Sequence, residues 1–182
     1  MANKIIFKAG EATVFASEGQ YTDAMPEILV GDVNGPVGYA FANMMAQSKG
    51  HTCMFAVRAC NHMVRPPTMM ATKVTIKDEA YVNLFGGVVQ SAVADAIVDC
   101  VQEKLLPSAQ LKNLCIIALI WIDPRAPGDQ NLDKEELYRN NYQAMKLAVR
   151  RAMKDEPTAK ALIASRKTVK HDMFDQSTGQ WY

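Results

Sequence analysis

Residues 114–122 read Leu-Cys-Ile-Ile-Ala-Leu-Ile-Trp-Ile, apolar at every position. A strand sends alternate side chains to opposite faces, so a strand with no polar position has to be covered on both. It belongs inside a sheet, with helices against one face and a further layer or a partner subunit against the other. The run is far shorter than the ~20 residues that cross a bilayer. Near the N-terminus, only Ile5-Ile6-Phe7 lies between Lys4 and Lys8. A secretory signal needs roughly 7–15 apolar residues there, so the expectation is a cytoplasmic protein without a membrane partner.

Around that strand the pattern predicts short strands over residues 4–9, 13–16 and 27–30, with Gly10-Glu11 as turn material. Pro26 suits an edge position or a strand start. A helix should begin near Pro36, show Tyr39, Phe41, Ala42 and Met45 as its stripe, and end at Gly50. Strands are predicted over residues 52–60 and 69–77. Asp78 should cap a short helix that Gly86-Gly87 interrupts. The following helix carries Val89, Val93, Ala96, Ile97 and Cys100 as its apolar stripe. Gln90 falls on the margin of that stripe, beside Ile97 and Val101.

Asp133 and Glu136 resemble a capping box ahead of a helix over residues 134–153, with Tyr138, Tyr142, Met145, Val149 and Ala152 on one face. A last short helix should run from Glu156-Pro157 to about Ser165. The tail from Arg166 is polar, and residues 179–182 are expected to lack fixed structure. This order predicts an α+β sandwich on a mostly antiparallel or mixed sheet.

The chain carries 20 Lys and Arg against 19 Asp and Glu. A nucleic-acid binder shows a basic excess, so nucleic acid is not an expected partner. Its three histidines, His51, His62 and His171, offer no i, i+4 pair, and its four cysteines form no Cys-x-x-Cys. No metal is expected, and the cysteines read as buried reduced thiols. Phosphate-loop, dinucleotide and nucleophile-elbow motifs are absent. Two polar features stand out. Lys73, Thr75 and Lys77 alternate along one predicted strand face, which either holds a polar ligand or is solvated. Gln90 is either a ligand-reading amide or a satisfied boundary residue.

Several stretches resemble the formaldehyde-activating enzyme family (5,6,7,8-tetrahydromethanopterin hydro-lyase). They include Gly10-Glu11-Ala12, Ala40-Phe41-Ala42-Asn43, Lys49-Gly50-His51-Thr52 and, most specific, Thr72-Lys73-Val74-Thr75-Ile76-Lys77-Asp78. Leu84-Phe85-Gly86 with Gln90, Asn141-Tyr142-Gln143-Ala144-Met145-Lys146-Leu147, and Arg166-Lys167-Thr168 with His171 follow in order. The resemblance implies a ribosomal-protein-S5-domain-2-like fold over residues 1–171, with a tail over 172–182. It also implies a homopentamer with pterin sites between subunits. The implied reaction, in one-carbon metabolism, condenses formaldehyde with tetrahydromethanopterin, or a related reduced pterin, to the methylene derivative and water.

The family's binding positions fall on Glu27, Phe55, Lys73, Thr75 and Gln90. Its strand lysine, threonine and helix-start glutamine are identical in type. Glu27 stands for an aspartate, and Phe55 for an aliphatic residue. The catalytic histidine falls on Met25, whose thioether has no proton to donate. No histidine precedes His51. Asp23 and Glu27 are the nearest ionisable substitutes. Two readings therefore follow: an enzyme working mainly by proximity, or a paralogue that binds, carries or senses the pterin or formaldehyde without catalysis.

Overall fold

The apolar run becomes the middle strand of the sheet. The computed structural model describes residues 5–46, 53–171, 174–175, 178 and 180–181. Five strands, β1 (Phe7–Glu11), β2 (Glu27–Asp32), β3 (Cys53–Phe55), β4 (Thr68–Thr72) and β5 (Leu114–Ile120), lie in the order β1-β2-β5-β4-β3. Only β4 and β5 are parallel to each other; the other neighbours are antiparallel. A parallel pair needs a long crossover. It is supplied here by α2 (Glu79–Asn83) and α3 (Gln90–Gln102). The remaining helices are α1 (Pro36–Ala46), α4 (Lys134–Lys154) and α5 (Ala159–Ser165). In the tail, β6 (Phe174–Asp175) pairs with β7 (Gln180–Trp181). The architecture is α+β on a mixed sheet, as the element order predicts.

Both faces of β5 are covered along most of its length. Ile116, Ala118 and Ile120 join Ile28, Val30 and Met70 against the apolar stripes of α3 and α4. On the other face, Cys115 and Ile117 meet Val37, Phe41 and Met44 of α1. That layer stops short of Leu119, which is 38% exposed. The stripe expected on α1 differs: Tyr39 and Met45 point outward, at 72% and 49% exposure. Val37 anchors the helix instead. It sits so close to Gly31 that a Cβ there would lie 2.6 Å from Val37 Cγ2. The expected terminator, Gly50, lies outside the described residues. Pro26 marks a strand start rather than an edge, since β2 lies between β1 and β5.

Gly10 is not in a turn. It pairs with Ile28 inside β1. A Cβ at Gly10 would lie 2.4 Å from Ala148 O and 2.7 Å from Ala152 N. The glycine is there because the α4 backbone rests on the strand. Of the strand expected after it, only the Val14–Ala24 bridge forms. Gly86-Gly87 does not interrupt the crossover either. A π-helical stretch, Leu84–Val89, carries the chain from α2 into α3. The full stretch Glu79–Gln102 is long and apolar enough to cross a membrane by length and composition alone, and half of its most apolar window is buried inside the protein. Asp78 caps α2 as expected, accepting from Tyr81 N at 2.8 Å.

Asp133 alone caps α4, accepting from the N–H groups of Glu135 and Glu136 at 2.9 Å each. The Glu136 carboxylate faces away from that cap. It is 4% exposed and accepts from Ser17 N (3.0 Å), Ser17 Oγ (2.5 Å) and Thr22 Oγ1 (2.9 Å). Asn140 Nδ2 adds a bond to Thr22 O at 3.1 Å. The segment ahead of β2 is thereby fastened to α4. The Ser17 hydroxyl bond, followed by the others, holds the Glu136 carboxyl below the usual range.

A second set of polar contacts joins α3 to α4. Tyr138 Oη donates to Asp95 Oδ2 at 2.8 Å, Tyr142 Oη donates to Asp99 Oδ2, and Lys146 Nζ reaches Glu103 Oε1 at 2.5 Å. Partners advance by four residues on each side, so the pairs stack one helical turn apart. Burial, then the Asp95 acceptor, push the Tyr138 phenol up to about 12, which keeps it a donor. Of the cysteines, Cys100 and Cys115 are buried, Cys53 is half-buried and Cys60 is exposed. Cys60 departs from the buried-thiol expectation because the strand there ends at Phe55 and the chain leaves the sheet.

Two outcomes are expected in denaturant unfolding. Gly10→Ala should lose at least about 1–3 kcal/mol, because the added methyl meets helix backbone that cannot rotate away. Glu136→Gln should lose about 1–3 kcal/mol at pH 7. The Glu136 contribution is present above the unfolded carboxylate pKa and is lost as pH falls through the lower folded value. Wild type should therefore lose stability on acidification more steeply than Glu136→Gln.

Candidate functional site

The sheet register decides which site residues can meet. Glu27 opposes Leu119, and Leu119 opposes Ala71, so these three form one row across β2, β5 and β4. Lys73 follows Ala71 by two residues. Its N–H still donates to Ile120 O at 2.8 Å, although the strand has ended. From there the side chain crosses the end of β5. Nζ lies 2.6 Å from Glu27 Oε1 and 3.3 Å from Met25 O. The side chains of Lys73 and Glu27 are 25% and 55% exposed. A pair this open contributes roughly 0–1 kcal/mol to stability. Its consequence is local: it holds an ammonium beside Met25.

Asp23, the other acid near Met25, is occupied, since its Oδ1 accepts from Ala16 N at 3.0 Å. Neither carboxylate proposed from sequence as a substitute acid is free of an existing partner.

The strand predicted through Lys77 ends five residues early. Thr72 Oγ1 donates to Val74 O (2.8 Å) and accepts from Val74 N (3.1 Å), and it lies 3.1 Å from Tyr81 Oη. A threonine that bonds the backbone two residues on replaces the strand ladder with a turn. Lys73, Thr75 and Lys77 therefore share no strand face. Thr75 is exposed and has no side-chain hydrogen bond among the described residues.

A second group forms at the β3 edge of the sheet. Phe55 closes β3 and opposes Met69. Its ring lies 5.9 Å, centroid to centroid, from Phe41 of α1. Gln90, first residue of α3, is half-buried at the margin that the helical spacing predicts. Its Nε2 donates to Phe55 O at 2.8 Å and to Met54 Sδ at 3.2 Å. Met54 reaches this place beside Gly86, where a Cβ would come 3.4 Å from Met54 Cε.

The row Leu29, Ile117, Met69, Phe55 runs across the sheet, and Glu27 precedes Leu29 by two. Glu27 and Phe55 thus share one face, three strand spacings across and two residues along, or about 16 Å apart. The fold brings Met25, Glu27 and Lys73 together, and joins Phe55 to Gln90 separately. A cleft of about 510 Å3 opens on the Glu27 side, between Leu29, Ile117, Leu119 and the rim residue Pro157. Lys73, Phe55 and Gln90 are not among its walls. It marks the uncovered end of the sheet face beyond α1.

Sequence reasoning missed one cluster. Past the end of β5, Asp123 is 3% exposed and takes Arg125 Nε and Nη2 at 2.9 and 2.6 Å. The Arg125 hydrogen bonds hold the Asp123 carboxyl below the usual range. The guanidinium lies 4.2 Å above the Tyr21 ring. Residues 123–133 read as a Pro/Gly-rich connector, and nothing in their spacing revealed that an acid there is buried. Among the described residues, no group of three or more His, Cys, Asp or Glu is placed to hold a metal.

This geometry can be set beside known proteins. A model of the formaldehyde-activating enzyme (Fae) family matches residues 9–174. The chain is 40% identical over 167 residues to the bifunctional enzyme Fae/Hps of Methanospirillum hungatei, covering 91% of this chain and 40% of that protein. The bifunctional enzyme Fae/Hps of Methanosarcina acetivorans is 37% identical over 179 residues, covering 97% and 43%. That of Archaeoglobus fulgidus is 35% identical over 158 residues, covering 86% and 38%. The chain spans about two fifths of the length of these curated relatives. The family match contains both polar groups, the one at Met25 and the one at Gln90, and most of the chain lies within it: the chain belongs to the formaldehyde-activating enzyme (Fae) family.

Proposed function

We propose that this chain binds a reduced pterin of the tetrahydromethanopterin type and formaldehyde, and condenses them to the methylene pterin and water. The observation that carries the reading is the family match over residues 9–174 together with the Lys73–Glu27 pair held at Met25. In the reaction, a pterin nitrogen attacks the aldehyde carbon to give a carbinolamine. The carbon–oxygen bond then breaks, and a proton must reach the departing hydroxyl for it to leave as water.

Met25 cannot supply that proton. Glu27 is engaged by Lys73 and Asp23 by Ala16 N. Lys73, whose Nζ lies 3.3 Å from Met25 O, is a proton-bearing group at this position. Catalysis on this reading rests mainly on holding the two reactants together, which alone can remove much of the barrier to a bimolecular step. Glu27, Phe55, Lys73, Thr75 and Gln90 are proposed to line the pterin site, with no metal. The assembly is proposed to be a homopentamer with sites between subunits. The open sheet face at Leu119 and the exposed Leu162 and Ile163 of α5 support an assembled form.

The Met25 thioether favours a second reading, in which the chain binds, carries or senses the pterin without accelerating its chemistry. Measuring methylene-pterin formation above the spontaneous rate, for wild type and Met25→His, separates the two. On the enzyme reading, wild type exceeds the spontaneous rate. Met25→His should then gain about 10²-fold and acquire a titration limb near the ordinary histidine pKa of about 6.5. A wild type with only the spontaneous rate but intact pterin binding establishes the second reading. If neither protein binds the pterin, both readings fail.

Lys73→Ala and Gln90→Ala should each weaken pterin binding about tenfold or more, as read by calorimetric titration. Unchanged affinity in both would remove these residues from the site.

A further inference from the structure

Lys73 is held at both ends of its side chain. Its backbone N–H donates to Ile120 O at 2.8 Å. The next residue, Val74, is fixed by the Thr72 hydroxyl, which bonds its N–H and its carbonyl alike. At the tip, Nζ donates to Glu27 Oε1 at 2.6 Å and to Met25 O at 3.3 Å. Both acceptors sit on anchored backbone. Glu27 pairs with Glu11 on one side and Leu119 on the other. Met25 lies between Ala24, whose N–H donates to Val14 O at 2.9 Å, and Pro26, whose carbonyl accepts from Ala12 N at 3.2 Å.

An ammonium has three N–H donors. Two are spent on Glu27 and Met25, and the third has no partner among the described residues. The side chain keeps 25% exposure, which leaves a ligand room to meet that donor. Its neighbours offer no proton of their own. Met25 is a thioether, and the carboxylates of Glu27 and Asp23 are acceptors.

We propose that Lys73 is a catalytic residue, giving its third proton to the departing hydroxyl of the carbinolamine and taking one back when the methylene bridge closes. The inference rests on the reading that this chain condenses formaldehyde with a reduced pterin. In the first half, the carbon–oxygen bond breaks and its electron pair leaves with the oxygen, which the Lys73 proton turns into water. The lone pair of the pterin nitrogen forms the second bond of an iminium, and Lys73 is left as a neutral amine. In the second half, another pterin nitrogen, bearing N–H, attacks the iminium carbon. Its proton goes to the Lys73 amine and restores the ammonium. The sum is pterin and formaldehyde to methylene pterin and water, with no net proton consumed. Positive charge passes from the lysine to the iminium and back, and Glu27 stays as its counter-ion throughout. An ammonium is a weaker acid than an imidazolium, so Met25→His still improves a chain that keeps Lys73.

The test measures kcat at saturating pterin and formaldehyde, so that weakened binding drops out. It compares wild type, Lys73→Arg and Lys73→Met, each with and without Met25→His. A guanidinium keeps the charge but does not give up its proton, and methionine has none to give. An exposed ion pair adds little to stability, so both variants should melt as wild type does. Each should lose about 10²-fold in kcat or fall to the spontaneous rate. Met25→His should then raise kcat at least about tenfold more in Lys73→Arg than in the chain that keeps Lys73, because one proton donor substitutes for the other. Either lysine variant keeping kcat within a few-fold of wild type, or an equal Met25→His gain in both backgrounds, overturns the inference alone. A wild type with no rate above the spontaneous one overturns the enzyme reading and this inference with it.

Discussion

The double-faced burial of β5 is the constraint from which the remaining geometry follows. Its inner face seats α3 and α4, and its outer face seats α1. A fully apolar strand can lie only inside a sheet. That position places β2 on one side of it and β4 on the other. Because β2 is antiparallel to β5 and β4 parallel, the start of β2 and the end of β4 lie at the same end of the strands. This is why Lys73, leaving β4, can reach across to Glu27, entering β2. The two residues are far apart in sequence, and a single strand end brings their charges together.

The elements with a strong repeating pattern were legible before any coordinates. The apolar positions of α3, the cap at Asp78 and the start of α4 all fall where spacing puts them. The misreadings have a common physical cause, which is that a local signal was answered by a tertiary partner. Gly10 looks like a turn residue, yet it is small because a helix lies on it. Gly86-Gly87 looks like a helix break, yet the chain widens into a π-turn and continues. Thr72 looks like one more strand residue, yet its hydroxyl takes over the backbone bonds of Val74. Glu136 looks like half of a capping box, but its carboxylate is drawn away by Ser17 and Thr22.

The candidate site was legible as a set of residue types and not as a set of partners. Lys73 and Gln90 were recognisable through the family resemblance. That Lys73 would be tied to Glu27 and to the Met25 backbone depends on strand order, which no local pattern carries. The orientation of the Gln90 amide depends on a carbonyl from an edge strand of three residues. Thr75 shows the reverse case: its type matches the family, but the early end of β4 leaves it without a side-chain bond among the described residues.

The three polar pairs between α3 and α4 act on position rather than on stability. Each is a partly exposed contact of modest individual strength. Because they repeat at one-turn intervals on both helices, sliding α3 along α4 by a fraction of a turn breaks all three at once, and only a full-turn jump would bring carboxylates and partners back into step. The helices behave as a toothed rack. Gln90 opens α3 about one and a half turns before Asp95, the first tooth, so the height of its amide above the sheet is indexed by contacts on the far side of the helix. An amide bonded to a strand carbonyl at 2.8 Å tolerates little axial play, and this rack limits it.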